Sequence, residues 1–145
     1  MRISSRTRYG VRLMLELALR YGSGYIFLKD IAREQDISEK YLSQIVLTLK
    51  ARGLIYSVRG AKGGHMLARP PSEITIGDIT GALEGDPAIV DCVQNPLVCS
   101  RSSSCVVNRF WVGLQKQISD ALSGTTLADL AADYGAGPGN ERGVL

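Results

Sequence analysis

The sequence predicts a mainly α protein: a winged helix-turn-helix DNA-binding domain with a small β-hairpin wing, followed by a long C-terminal dimerisation helix. Three observations carry this reading. A short amphipathic segment is followed by a serine-capped one, a basic glycine-rich hairpin comes directly after, and a heptad-like apolar stripe recurs from Val107 onward.

The elements follow in order. From about Ser4 to Tyr21, Leu13, Met14, Leu17, Ala18 and Tyr21 recur at helical spacing, and Gly22 and Gly24 close the segment. "FLKDIAREQD" predicts a short helix that buries Leu28, Ile31 and Ala32. In "ISEKYLSQIVLTLKARG", Ser38 is placed to cap a helix whose Leu42, Ile45, Val46 and Leu49 make one core face. Lys40, Ser43 and Gln44 point the opposite way at 100° per residue. "LIYSV" and "HMLA" read as strands, and "RGAKGG" supplies the glycines of the turn between them. "TIGDITGALEG" opens with a capping box, Thr75 and Asp78, and Thr126 with Asp129 repeats it near the end. The stretch from Asp86-Pro87 through Asn95-Pro96 is expected to be a loop. A long helix is expected from about Ser104, with Val107, Trp111, Leu114, Ile118 and Ala121 as its stripe, widened by Phe110 and Leu122. Val106 and Val112 add apolar area beyond what one core needs, which points to a homodimer interface. The expected organisation is a winged unit at 1–85, a cysteine-rich sensor loop at 86–105, the dimerisation and terminal helices at 106–134, and a disordered tail at 135–145.

Charge divides the chain. Residues 1–69 carry a net +8 and residues 70–145 a net −5, within an overall +3. A basic half joined to an acidic half is the footprint of a polyanion-binding module attached to something else. No run approaches the roughly 18 apolar residues of a membrane span. The basic start that turns apolar is interrupted by Glu16 and Arg20 and lacks a small-residue cleavage site, so a cytoplasmic protein is expected.

The reading helix offers Lys40, Ser43 and Gln44 to the major groove, with Ser38 at its cap and Tyr41 at the edge toward phosphate. Gln pairs bidentately with adenine, Ser pairs either way, and Lys contacts guanine or phosphate. In the wing, Arg59 and Lys62 carry charge beside Gly60, where a bare backbone can approach DNA closely. Arg2, Arg6, Arg8 and Arg12 are placed to add backbone contacts.

Cys92, Cys99 and Cys105 are the chain's only cysteines, spaced C-x6-C-x5-C. An odd number cannot all pair within one chain, and a reducing cytosol disfavours structural disulfides. The C-x2-4-C knuckles of structural zinc are absent, while longer spacings suit an iron–sulfur cluster, whose ligands must spread around it. A cluster, zinc, a thiol switch and inert cysteines all stay open on spacing alone. Nucleophilic cysteine catalysis needs a base, and the one histidine, His65, lies in the predicted wing, so an enzyme is not expected.

Four stretches, "SSRTRYGVRLMLELA", "ISEKYLSQI", "GLIYSVRGAKGGHML" and the cysteine loop followed by "NRFW", resemble the Rrf-type transcription regulators. That family includes the iron–sulfur cluster regulator IscR and the nitric-oxide sensor NsrR. The likeness runs from residue 1 to about 134. It implies a homodimer joined through the long helix and bound to a palindromic operator in double-stranded DNA, as repressor or activator. It also implies that Cys92, Cys99 and Cys105 hold a [2Fe–2S] or [4Fe–4S] cluster that senses redox, iron–sulfur status or nitric oxide. Two departures stand out. The first cysteine gap is one residue longer than in IscR-like members, and Asn108 stands where they have a histidine ligand. Arg8 stands where NsrR-like members have an aspartate, so the fourth ligand is unknown. The alternative is a cluster-free member of the family, controlled by a partner protein or by thiol oxidation.

Overall fold

The computed structural model of the chain describes residues 2–85 and 88–137. The elements are α1 (Ser5–Leu19), α2 (Leu28–Gln35), α3 (Glu39–Ala51), β1 (Ile55–Val58), β2 (Gly64–Leu67), α4 (Ile76–Glu84), α5 (Asp91–Gln94), α6 (Val106–Gly124) and α7 (Leu127–Ala136). This is the mainly α winged-helix architecture with a two-stranded wing and a long C-terminal helix.

Helix α1 begins where Ser4 Oγ accepts the Thr7 N–H, and its apolar face sinks completely: Leu13, Met14 and Leu17 are at most 1% exposed. The helix stops at Leu19, two residues before the periodicity suggests, so Tyr21 leaves the stripe and stands 46% exposed. Helix α2 buries Leu28, Ile31 and Ala32. It ends at Asp36, a non-glycine residue with φ +52°, whose N–H returns to the Ala32 and Arg33 carbonyls. This left-handed residue reverses the chain into α3, where Ser38 Oγ accepts the Tyr41 N–H at 3.3 Å. Leu42, Ile45, Val46 and Leu49 lock α3 against the common core.

The wing is an antiparallel pair in which Ile55 faces Leu67 and Val58 faces Gly64. A third backbone joins it, since Ile26 and His65 exchange two N–H···O bonds of 2.9 Å. Two glycines make this close approach possible. A Cβ on Gly63 would sit 2.1 Å from the Val58 carbonyl oxygen, and one on Gly64, at φ +133°, would sit 2.6 Å from the Ile26 carbonyl oxygen.

Both capping boxes form, at Thr75 with Asp78 and at Thr126 with Asp129. Backbone bonds from Ile76 to Thr125 and from Leu127 to Ile74 pin the start of α7 to the start of α4. Leu127, fully buried, thereby joins the core formed by the winged elements. The expected tail from 135 overlaps α7, which runs through Ala136, and residues 138–145 lie outside the described residues, as does Asp86-Pro87. The cysteine stretch is more structured than a loop: α5 is one helical turn, and Pro96–Val98 adds a 3-10 turn.

His65 sits half-buried in β2 with its Nδ1 2.7 Å from Ser57 Oγ. Burial, and then the charge of Lys50, push its pKa below the ordinary histidine value. The unfolded chain, with a histidine pKa of about 6.5, then takes up the proton first. The stabilising difference is complete above that pH and is lost as pH falls through the unfolded value toward the lower folded one. The Tm of the wild type is expected to drop between pH 7.5 and 5.5, and a His65→Gln variant to flatten that part of the profile, as read by circular dichroism melts.

Candidate functional site

The face of α3 opposite the core carries Lys40, Ser43 and Gln44, all exposed, with the cap residue Ser38 exposed beside them. The Ser43 hydroxyl donates to the Lys40 carbonyl at 2.7 Å, so its oxygen lone pairs remain as acceptors. Tyr41 is only half exposed, because its ring packs edge-to-face on Tyr9 with centroids 5.8 Å apart. Sequence reasoning missed Leu47, which is 68% exposed one turn beyond Ser43 and Gln44 on the same face. The available signal was an apolar residue off the core stripe of an amphipathic helix.

At the tip of the wing Arg59, Gly60 and Lys62 are exposed, and the Gly63 N–H closes the turn on the Gly60 carbonyl at 3.0 Å. Tyr56 is 56% exposed on the strand behind them, beside Tyr25. The arginines of α1 have partners within the protomer. Arg12 is spent on Gln35, donating to its side-chain and backbone oxygens at 2.8 Å each. Arg6 donates to the Thr48 hydroxyl, and Arg8 to the Ser5 hydroxyl at 2.9 Å. The Arg12 and Arg6 bonds tie α1 to the ends of α2 and α3, while the Arg8 bond stays within α1.

The three cysteines do not come together. Cys105 is the N-cap of α6, its sulfur accepting the Asn108 N–H at 3.4 Å. The Asn108 amide reaches the other way and donates to Cys92 Sγ at 3.3 Å and to the Cys92 carbonyl at 3.4 Å. Cys92 and Cys105, both half-buried, thus bond to one residue, Asn108, through its side chain and its backbone respectively, while Cys99 is exposed beyond the 3-10 turn. Among the described residues no three His, Cys, Asp or Glu side chains converge as a metal site would need. As arranged, these donors do not fit an iron–sulfur cluster. Only two of the sulfurs share a neighbour where a cluster needs three or four ligands, and that neighbour, Asn108, offers a neutral amide as its side chain.

Helix α6 buries no residue in the protomer. Val106, Val107, Phe110 and Val112 are 70%, 58%, 62% and 47% exposed, with Phe110 stacked edge-on against Trp111. Among the described residues no helix is long and apolar enough to cross a membrane.

The family profile described as Rrf2, iron-dependent transcriptional regulator, matches residues 3–133. The chain belongs to the Rrf2 family. It is similar to the HTH-type transcriptional regulator CymR of Bacillus subtilis (strain 168), 39% identical over 132 residues that span 91% of each chain. The solved structure of T. potens IscR covers 92% of this chain and 88% of its own, with a TM-score of 0.74 and 38% identity. The oxidized form of Staphylococcus aureus CymR covers 90% of this chain and 96% of its own, with a TM-score of 0.72 and 42% identity. As an Rrf2-family member the chain is a DNA-binding transcription regulator that acts as a homodimer, not an enzyme.

We propose that the exposed ridge of α6 is the interface of that dimer; aromatic anchors at interface centres carry much of the binding energy. A Phe110→Asp variant is expected to raise the dimer dissociation constant about 30-fold, the equivalent of ~2 kcal/mol, while leaving the protomer folded. Sedimentation velocity across a dilution series checks this.

Proposed function

We propose that the protein is a cluster-free regulator that reads a palindromic operator and is controlled through its thiols. The observation that carries this reading is the arrangement of the cysteines around Asn108: two converge, the third stands apart, and the position of the family's histidine ligand holds an amide that already engages Cys92. The likeness to a CymR whose oxidized form has been crystallised supports the same choice. Control by a partner protein belongs to this reading too, with the homodimer as its receptor.

In this mechanism each protomer lays α3 in the major groove. Gln44 pairs with adenine, Ser43 accepts from a base amino group, Lys40 meets guanine or phosphate, and Leu47 packs on a thymine methyl. Ser38 and Tyr41 hold phosphates at the start of the helix, the former beside the free end of the helix dipole. Arg59, Gly60 and Lys62 bring the wing onto the backbone or the minor groove. The two reading helices must be spaced by about one helical turn of DNA or a multiple of it, so anything that re-poses one α6 on the other changes affinity.

A second reading keeps the cluster, and the family description as iron-dependent favours it. It requires Cys99 to swing in beside Cys92 and Cys105. Protein purified without oxygen separates the two by visible absorption, iron and sulfide. The expected outcome is a colourless protein that resists anaerobic reconstitution yet binds an operator selected from random duplex DNA. A brown protein with iron and sulfide, bleached by Cys99→Ala, would establish the cluster reading instead. On that same operator, Gln44→Ala is expected to cost about 1–3 kcal/mol and relax one base position. Arg59→Ala should weaken all sequences alike and reduce the salt slope by about one. Fluorescence anisotropy over a range of salt concentrations measures both.

A further inference from the structure

We infer that Cys92 and Cys105 form a reversible intramolecular disulfide that staples α5 to the N-terminus of α6, with Cys99 outside the couple; this deepens the thiol-controlled reading above and rests on it.

The argument begins with the two sulfurs. They come from elements separated by the whole cysteine loop, yet both bond to Asn108, one to its backbone N–H and one to its side-chain amide. Helix α5 packs directly on α6, so the approach is built by the fold and not by one rotamer. A disulfide needs Cβ atoms at about 3.8 Å, which here means drawing α5 toward the first turn of α6 and turning the Asn108 amide aside. Cys99 follows the 3-10 turn at Pro96–Val98 and bonds to neither partner. That turn is itself held, since Asn95 Oδ1 accepts the Leu97 N–H at 3.1 Å and the Ser102 hydroxyl donates to the Pro96 carbonyl at 2.7 Å.

The chemistry balances with one hydroperoxide as oxidant. The Cys105 sulfur attacks the terminal peroxide oxygen. An S–O bond forms, the O–O bond breaks, and the alcohol or water leaves with a proton, giving the sulfenic acid. The Cys92 sulfur then attacks Cys105. The S–S bond forms, the S–O bond breaks, and hydroxide leaves as water with the Cys92 proton. Two thiols lose two electrons and two protons in all, and a dithiol reductant reverses the step.

The consequence is mechanical. Cys105 is the cap of α6, so the staple acts at the first turn of the helix that carries the exposed dimer ridge, Val106, Val107 and Phe110. Asn108 is a positioning residue that holds the two thiols on either side of itself in the reduced state.

The test treats the full-length dimer with hydrogen peroxide at a few equivalents, alkylates free thiols under denaturing conditions and maps the peptides. The expected result is a Cys92–Cys105 linkage within one chain with Cys99 alkylated. Operator affinity should change at least tenfold, reversed by dithiothreitol. Cys99→Ala should keep both effects. Cys92→Ser and Cys105→Ser should lose both while retaining the wild-type circular dichroism spectrum and basal binding. If either serine variant misfolds, the peptide map of the wild type and of Cys99→Ala still decides. A linkage through Cys99, a cross-link between subunits, or a lone Cys99 sulfenic acid that alters binding would overturn the inference and leave thiol control standing. Oxidation of any kind without change in operator binding, or iron and sulfide in the purified protein, would instead overturn the reading on which it rests.

Discussion

The rest of the structure depends on the burial of α1, and above all on one carboxylate within it. Glu16 is 5% exposed in a helix whose neighbouring residues are fully apolar. A carboxylate in that position is tolerated only when its oxygens are paired. Gln35 donates to one oxygen, and Arg20 lies 3.5 Å from the other while also engaging Glu34. Gln35 and Glu34 belong to the last turn of α2, and Arg12, one turn before Glu16 on the same face of α1, holds that same turn. The end of α2 is therefore fixed in position and rotation before the chain turns at Asp36. Since α3 starts three residues later and buries four apolar side chains against the same core, its exposed face is aimed by this polar clamp. A merely greasy contact between α1 and α2 would permit sliding; the hydrogen bonds specify one register.

Much of this was legible in the sequence, for reasons that differ between elements. The α3 stripe and both capping boxes are local signals whose physics is complete within one or two turns, and each appears where periodicity and side-chain chemistry place it. Tyr21 departs because helix length is settled by where the chain must turn back, which periodicity does not encode. The clamp at Glu16 was invisible because its partners lie far along the chain. The same holds for Gly64, which needs its bare backbone only because Ile26 arrives beside it. In the site, Lys40, Ser43 and Gln44 follow from helix geometry alone, and Leu47 follows from the same geometry once polarity is not required. The cysteines were the hardest part. Spacing constrains which metals could be bound, but convergence is a three-dimensional fact, and it joins Cys92 to Cys105 through Asn108 while leaving Cys99 out.

The acidic half of the chain has a physical role beside the basic one. Helix α7 returns to the first helix and seats Leu127 in the winged core, so α6 is anchored at its far end by the segment that follows it. At its near end α6 is held by a sulfur cap and by α5, with the Gln115 side chain accepting the Ile89 N–H at 3.0 Å. Between these anchors the helix presents apolar surface that no other described element of the protomer buries.

That arrangement makes α6 a lever with one firm and one adjustable end. Coupling between a loop and an operator requires only that the two loop states differ in affinity by about 1–3 kcal/mol, a small fraction of what fixes the fold. A cap of a thiol on a backbone N–H is a weak bond, so the reduced near end is cheap to rearrange, whereas Leu127 and the capping box at Thr126 resist motion at the other end. On the thiol-controlled reading proposed above, displacement at the cysteine loop is directed into the pose of α6 on its partner. Through the dimer it reaches the distance between the two copies of α3, the quantity to which a palindromic site is most sensitive. The same reading accounts for the placement of the cysteines at the start of α6, far in sequence from α3: a sensor there would move the spacing of two rigid copies of α3 without disturbing the surface of either.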